Sequence, residues 1–253
     1  MRAMITGATS GIGWATAIKL AEQGYNILAT GRRPDRLAEL QELLQQKFPE
    51  RAVRTVVLDI SDRDSVRDFL QSCSTELAEV EVLVNNAGLA RGLEKIQEAV
   101  IDDWERMIDT NIKGLLYVTR GVLPLMVQRN SGHIVNVGSV AGRWTYPGGG
   151  VYCATKFAVR ALSEGLRMDL LGSAIRVTNI EPGMVETEFS VVRMGSQERA
   201  DQVYEGMTPL RAEDIAETIA WCVKRPAHVN IQELVIYPTD QAHVGLVARK
   251  ERL

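Results

Sequence analysis

The opening of this chain leaves it few ways to fold. Met4-Ile5-Thr6 ends a short apolar strand, and Gly7-Ala8-Thr9-Ser10-Gly11-Ile12-Gly13 follows at once. An apolar helical pattern then runs through Ala15, Ile18, Leu20 and Ala21 to Gly24. In a strand–turn–helix unit of this kind Gly7 allows the tight turn and Gly11 lets a pyrophosphate approach the backbone, while Gly13 lets helix and strand pack closely. The helix start adds free N–H groups and the positive end of its dipole, both favourable to phosphate. The spacing is Gly-x-x-x-Gly-x-Gly, not Gly-x-Gly-x-x-Gly. A glycine-rich turn without a ligand is the plainer alternative, and the flanking strand and helix weigh against it.

The alternation begun there continues without a break. Tyr25 to Thr30 reads as a second strand, followed by a helix from Pro34 to about Gln46. Val53 to Leu58 is a third strand, with a helix opening near Ser61-Asp62, and Val82 to Val84 is a fourth. A long helix from about Asp102 to Arg129 leads to a fifth strand, His133 to Gly138. A helix through Tyr152 to Leu171 precedes a sixth, Ile175 to Ile180. An irregular stretch, a helix near Glu213 to Lys224 and a last strand, Glu233 to Tyr237, complete the pattern. Such alternation predicts an α/β fold, a doubly wound parallel sheet of about seven strands with helices on both faces and ligands at the strands' carboxyl ends. Thr6, Thr30, Asp59, Asn85, Ser139 and Pro182 all fall at those ends. At 253 residues and 45% hydrophobic content the chain can bury a large core, and one domain over 1–253 is expected.

The net charge of −3 argues against a nucleic-acid surface, and no run of about eighteen apolar residues suggests a membrane span. The first strand begins almost at Met1, which leaves no room for a cleavable signal peptide. Cys73, Cys153 and Cys222 stand singly, and His133, His228 and His243 lack clustered partners. A reduced, cytoplasmic protein without a metal is the economical expectation.

Tyr152 and Lys156 stand four residues apart in Tyr-Cys-Ala-Thr-Lys. On a helix both project from one face, about a turn apart. A cation so placed favours phenolate, and bringing a phenol from about 10 to neutrality takes roughly 4 kcal/mol. Ser139 offers a hydroxyl at the end of the apolar run His133 to Gly138. A Tyr-x-x-x-Lys pair alone is a common accident of surface helices, and its weight comes from its companions.

Those companions are Thr6-Gly7-x3-Gly11-x-Gly13, Asn85-Asn86-Ala87-Gly88, Asn111, Ser139, Tyr152-x3-Lys156 and Pro182-Gly183. In order and separation they resemble the short-chain dehydrogenase/reductase family over essentially the whole chain. The resemblance implies a Rossmann-type domain, a nicotinamide dinucleotide and hydride transfer between a carbonyl and an alcohol. It also implies that Tyr152 exchanges the proton, that Lys156 lowers the phenol's pKa and bonds the nicotinamide ribose, and that Ser139 hydrogen-bonds the reacting oxygen. Asn111 is similar to the family residue that holds a water in a proton relay. Gly7, Thr9, Ser10, Gly11, Ile12 and Gly13 match the dinucleotide loop, and Asp59 and Ile60 the adenine edge. Asn86, Ala87 and Gly88 match the ribose and nicotinamide side, and Pro182, Gly183, Val185 and Thr187 the segment around the nicotinamide. Asn85 is as readily a tie between strands as a ligand contact. Family members usually form tetramers, so a homotetramer or a dimer is expected, with Gln241 to Leu253 either reaching a neighbour or frayed.

Charge selects the cofactor. After the second strand, where an NAD site places an acid, this chain has Gly31-Arg32-Arg33. Guanidinium binds a 2′-phosphate that a carboxylate repels, so NADP(H) is expected, with Arg33 the first ligand and Arg32 an assistant. Two solvated arginines on a turn are the bland alternative. Further stretches, among them Ala29 to Arg33, Met107 to Asn111, Val177 to Gly183 and Ala227 to Ile231, resemble the NADP-dependent 3-hydroxy acid dehydrogenase branch. That branch implies serine, allo-threonine and similar 3-hydroxy acids, or malonic semialdehyde, as substrates. Residues 186–209 then correspond to a substrate lid, irregular apart from a helical patch around Ser196 to Met207. Arg193, and after it Arg143, are candidate partners for a substrate carboxylate, with Trp144, Tyr146 and Met184 as apolar wall. A sulfoacetaldehyde reductase is the runner-up. A non-catalytic NADP(H) sensor is the alternative of another class, and the intact Tyr152, Lys156, Ser139 and Asn111 speak against it, since a sensor needs only the glycine loop and the arginines.

Overall fold

The computed structural model describes residues 1–250. The chain runs through β1 (Arg2–Ile5), α1 (Gly11–Glu22), β2 (Asn26–Gly31), α2 (Pro34–Lys47), β3 (Val53–Val57), α3 (Arg63–Ser72), α4 (Ser74–Ala78) and β4 (Val80–Asn85). It continues through α5 (Ile101–Ile108), a π-helical turn at Asp109–Gly114, α6 (Leu115–Arg129) and β5 (Gly132–Val137). A 3-10 turn at Val140–Gly142, α7 (Gly150–Asp169), β6 (Ile175–Pro182), β7 (Val185–Glu186), α8 (Glu188–Met194) and α9 (Gln197–Tyr204) follow. The last elements are β8 (Leu210–Arg211), α10 (Ala212–Val223), β9 (Glu233–Ile236), β10 (Gln241–His243) and β11 (Leu246–Val247).

Seven strands form one sheet in the order β3-β2-β1-β4-β5-β6-β9, every pairing parallel. Both faces are covered, which is why its strands read as continuous apolar runs rather than alternating ones. Ile5, Ala29, Val84 and Val135 pack toward Ala17 and Leu20 of α1 and Ile215 and Ile219 of α10. Their neighbours Met4, Leu28, Leu83 and Ile134 pack on the other face against Phe69, Val118, Val122 and Met126. The strand order reverses between β1 and β4, so the crevice for a ligand lies at their carboxyl ends.

The tight joint of that crevice is Gly13. A Cβ there would lie 2.4 Å from both the Gly7 carbonyl oxygen and Asn86 Nδ2. Neither can yield, because Asn86 Nδ2 donates to the Thr6 and Gly7 carbonyls at 2.9 and 3.0 Å. Gly13→Ala is expected to destabilise the fold by about 2 kcal/mol through overpacking. Thermal denaturation should show a Tm lowered by about 5 °C.

The expected long helix from Asp102 to Arg129 is interrupted by the π turn at Asp109–Gly114. Gly114 there presses on Ile60, where a Cβ would come 2.7 Å from Ile60 Cγ1. The stretch 186–209 is more ordered than expected, with two helices capped by Thr187 and Ser196. The C-terminal segment folds back on its own chain. Lys250 N donates to the Gly206 carbonyl at 2.7 Å, and Arg249 Nη2 to that of Val203 at 3.1 Å. The end of the expected reaching segment, residues 251–253, lies outside the described residues.

Candidate active site

One cleft of about 720 Å3 runs along the carboxyl ends of the central strands. Every residue expected to hold the dinucleotide lines it except Gly13, which packs beneath. Ser139, Tyr146 and Arg193 line it too, whereas Arg143, Trp144 and the side chain of Asn111 stand elsewhere.

At one end the glycine loop is stapled in place. Thr6 Oγ1 accepts from the amides of Asn86 and Ala87 at 3.1 and 3.0 Å, joining the end of β1 to the end of β4. Gly7 and Gly11 adopt φ of +66° and +52°, the left-handed region that glycine enters without strain. Ser10 is the N-cap of α1 yet makes no side-chain cap bond, so the first N–H groups of the helix stay open toward the cleft. Asn86 spends its side-chain Nδ2 on the loop carbonyls of Thr6 and Gly7. Asn85 takes the structural alternative: its amide donates to Thr119 Oγ1 and Asn136 Oδ1, both at 2.9 Å, tying β4 to β5.

The two arginines differ. Arg33 Nη2 donates to the Thr9 carbonyl at 3.0 Å, and its Nη1 lies 2.8 Å from Glu188 Oε2. Arg32 is 61% exposed and only 4.0 Å from Asp59 Oδ2, the geometry of a solvated side chain. Asp59 Oδ1 accepts from the amide and hydroxyl of Ser61 at 3.0 and 2.6 Å, which orders the turn after β3. Ile60 is buried against the π turn.

At the other end Tyr152 and Lys156 share one face of α7, both buried. Lys156 Nζ donates to the Val137 carbonyl at 2.8 Å and lies 5.9 Å from the Tyr152 ring centroid. Burial brings this ammonium down to about 8. The phenol does not follow the expected direction. Burial, assisted by Tyr146, raises Tyr152 well above its ordinary value, and the lowering influences are Ser139 and the Arg193 cation, not Lys156. Removal from water outweighs the cations, and the lysine is turned toward a backbone carbonyl instead of the phenol. Ser139 Oγ caps the 3-10 turn, accepting from the Ala141 amide at 3.1 Å.

Asn111 is buried in the π turn with its amide engaged. It donates to the Leu89 carbonyl at 2.8 Å and to Thr155 Oγ1 at 3.0 Å, and accepts from the Leu89 amide at 2.9 Å. A π turn exchanges the usual hydrogen-bond register for a wider one. Arg193 points into the site: Nη1 donates to Tyr146 Oη at 2.7 Å, and its guanidinium carbon lies 5.4 Å from the Tyr152 ring centroid. The Arg143 expectation fails. Its Nε is bound to Glu181, fully buried, and its Nη2 to Glu233, and the residue stands outside the lining of the cleft. Trp144 is 49% exposed and sets its ring 4.8 Å from that of His243, tilted by 52°, instead of walling the cleft.

Three wall residues carried no signal in the sequence. Phe189 sets its ring 5.8 Å from that of Tyr152. Glu188 meets Arg33. Gln241 Oε1 accepts from the Met184 amide at 2.8 Å, holding the segment after β6. Among the described residues no group of three or more His, Cys, Asp or Glu could hold a metal ion, and no helix is long and apolar enough to cross a membrane.

The short chain dehydrogenase family model matches residues 1–197. The chain is 49% identical to the NADP-dependent 3-hydroxy acid dehydrogenase YdfG of Salmonella typhi, over 97% of this chain and 98% of that one. It is 47% identical to sulfoacetaldehyde reductase 2 of Chromohalobacter salexigens, over 94% of each. The closed form of a serine dehydrogenase complexed with NADP+ superposes with a TM-score of 0.92 at 45% identity, over 99% of this chain and all of that one. With that likeness over its length, the chain whose cleft aligns a glycine loop with Ser139, Tyr152 and Lys156 belongs to the short chain dehydrogenase family.

Proposed function

We propose that the protein is an NADP(H)-dependent oxidoreductase that interconverts a small 3-hydroxy acid, of the serine, allo-threonine or 3-hydroxypropionate kind, and its oxo acid or semialdehyde. The observation that supports it most is that buried Tyr152 and Lys156 share a cleft with an uncapped helix start and Arg33. The relatives' names agree with that chemistry. NADP(H) fits the residues present: the open N–H groups of α1 suit its pyrophosphate and the cation held on Thr9 suits its 2′-phosphate. Gly7 to Gly13 would hold the diphosphate, Arg33 with Arg32 the 2′-phosphate, and Asp59 and Ile60 the adenine side. Asn86 to Gly88, Lys156, Pro182, Gly183, Val185 and Thr187 would hold the ribose and nicotinamide side. When bound, the coenzyme supplies or accepts the hydride.

The chain's own groups manage the proton and the charge. Tyr152 holds a proton on its phenol oxygen and gives it to the substrate's carbonyl oxygen in reduction, taking it back in oxidation. Ser139 hydrogen-bonds that oxygen and stabilises its developing charge. Lys156 would hold the coenzyme's ribose, and Asn111 holds the floor that carries Leu89. Residues 186–209 act as the lid that excludes water. The protein works in the cytoplasm as a homotetramer or a dimer.

Arg193 is the cation for the substrate carboxylate. Arg193→Ala is expected to raise KM about tenfold for hydroxy acids and semialdehyde acids, the worth of one charge-assisted hydrogen bond. Uncharged carbonyl substrates should hardly respond, and steady-state kinetics that show no dependence on substrate charge would remove the residue from the site. The same cation suits a sulfonate, which keeps sulfoacetaldehyde as the second reading, supported by the Chromohalobacter relative. A panel of 3-hydroxy acids, semialdehydes and sulfoacetaldehyde, assayed with both coenzymes, tests the proposal. NADPH binding without turnover of any member would favour the sensor.

A further inference from the structure

The Arg33–Glu188 pair joins two parts of the cleft that are far apart in the chain. Arg33 is the N-cap of α2, in the turn after β2, and Glu188 is the first residue of α8. Arg33 keeps its other nitrogens on Thr9, with Nη2 3.0 Å from the carbonyl and 3.3 Å from Oγ1, and Nε 3.4 Å from Oγ1. Only Nη1 faces Glu188, at 2.8 Å. The two side chains are 42% and 47% exposed, so an entering anion can reach the pair. The neighbouring cations do not pair with Glu188. Arg36 pairs with Glu39 and lies over the Trp14 ring, and Arg32 is 4.0 Å from Asp59. The start of α8 also touches the glycine loop, where a Cβ on Gly11 would come 3.1 Å from Thr187 Cγ2.

We propose that Glu188 is an internal competitor for the coenzyme's 2′-phosphate, a carboxylate that holds Arg33 Nη1 and gives it up when the phosphate arrives. The inference rests on reading Arg33 as the phosphate ligand. A phosphate monoester near neutral pH carries close to two charges and three acceptor oxygens, against one charge on a carboxylate, so it wins an exposed guanidinium. Holding both anions on one cation adds like-charge repulsion, and the carboxylate leaves. A dinucleotide without the phosphate does not contest the pair. The consequence reaches the reacting end, because α8 also carries Phe189 and Arg193, which stand 5.8 and 5.4 Å from the Tyr152 ring. Glu188 is thus a specificity-determining residue that makes the start of the lid sensitive to which coenzyme is bound.

Calorimetric titration of the full-length protein with NADPH, NADH and 2′,5′-ADP tests this without turnover. Glu188→Gln and Glu188→Ala should each bind NADPH and 2′,5′-ADP about threefold to fivefold tighter, the reach of an exposed ion pair. NADH binding should not change, and the gain should vanish in an Arg33→Gln background. Weaker NADPH binding, an equal change for NADH, or a gain that persists without Arg33 would overturn the proposal. Wild-type protein and Arg33→Gln binding NADPH alike would instead remove the reading beneath it and the proposal together. Strong dependence on Arg33 with no effect of Glu188 removes this inference alone.

Discussion

Tyr152→Phe is expected to lower kcat for carbonyl reduction about a thousandfold and to leave the NADPH dissociation constant within about twofold. The substitution removes one oxygen and keeps the ring that packs 5.8 Å from Phe189 in a buried position, so the wall of the cleft survives. What goes is the proton donor. Burial holds the phenol well above its ordinary range, so at neutral pH it carries its proton and is ready for reduction. Reduction should therefore stay level through neutrality and fall only when alkali strips the phenol. Oxidation needs phenolate and should rise over the same interval. Lys156, brought down to about 8 by burial, loses its charge at a lower pH than the phenol loses its proton. Rates measured in both directions against pH check this. Reduction that climbs with pH, or equal losses of turnover and NADPH binding in Tyr152→Phe, would contradict the assignment.

The fold was legible because its signals are local and repeated. A parallel sheet covered on both faces leaves continuous apolar strands, and Leu28 with Ala29 or Leu83 with Val84 point to opposite cores from adjacent positions. The glycine loop was legible because backbone crowding, at Gly13 above all, excludes every side chain. The π turn was not, since no local signal in Asp109 to Gly114 separates a wider helical register from the ordinary one. Arg143 misled for a related reason. Nothing near it in sequence announces Glu181 and Glu233, and a buried carboxylate claims a cation before any substrate can. The same holds for the phenol: the spacing of Tyr152 and Lys156 places them on one face, but the depth of burial that sets the direction of the shift is a property of the assembled core. Chemistry carried by long-range partners is invisible to spacing.

Coenzyme choice should follow the unequal settings of the two arginines. Arg33→Gln is expected to weaken NADPH binding about thirtyfold and NADH binding less than about twofold, since hydrogen bonds to a charged group contribute roughly 1.5–3 kcal/mol. Arg33 earns the larger effect because three contacts with Thr9 hold its guanidinium at the rim before a ligand arrives. Pre-organisation of that kind cuts the entropy lost on binding. Arg32, 61% exposed and loosely paired, must be ordered by the ligand, so Arg32→Gln should weaken NADPH only about threefold. The phosphate contribution is exposed and electrostatic, so raising salt should erode the preference of the wild type for NADPH and leave the Arg33→Gln variant nearly flat. Titrations with both coenzymes at low and high ionic strength measure all of this. An NADPH preference that outlasts removal of both arginines would move the 2′-phosphate site away from the turn after β2.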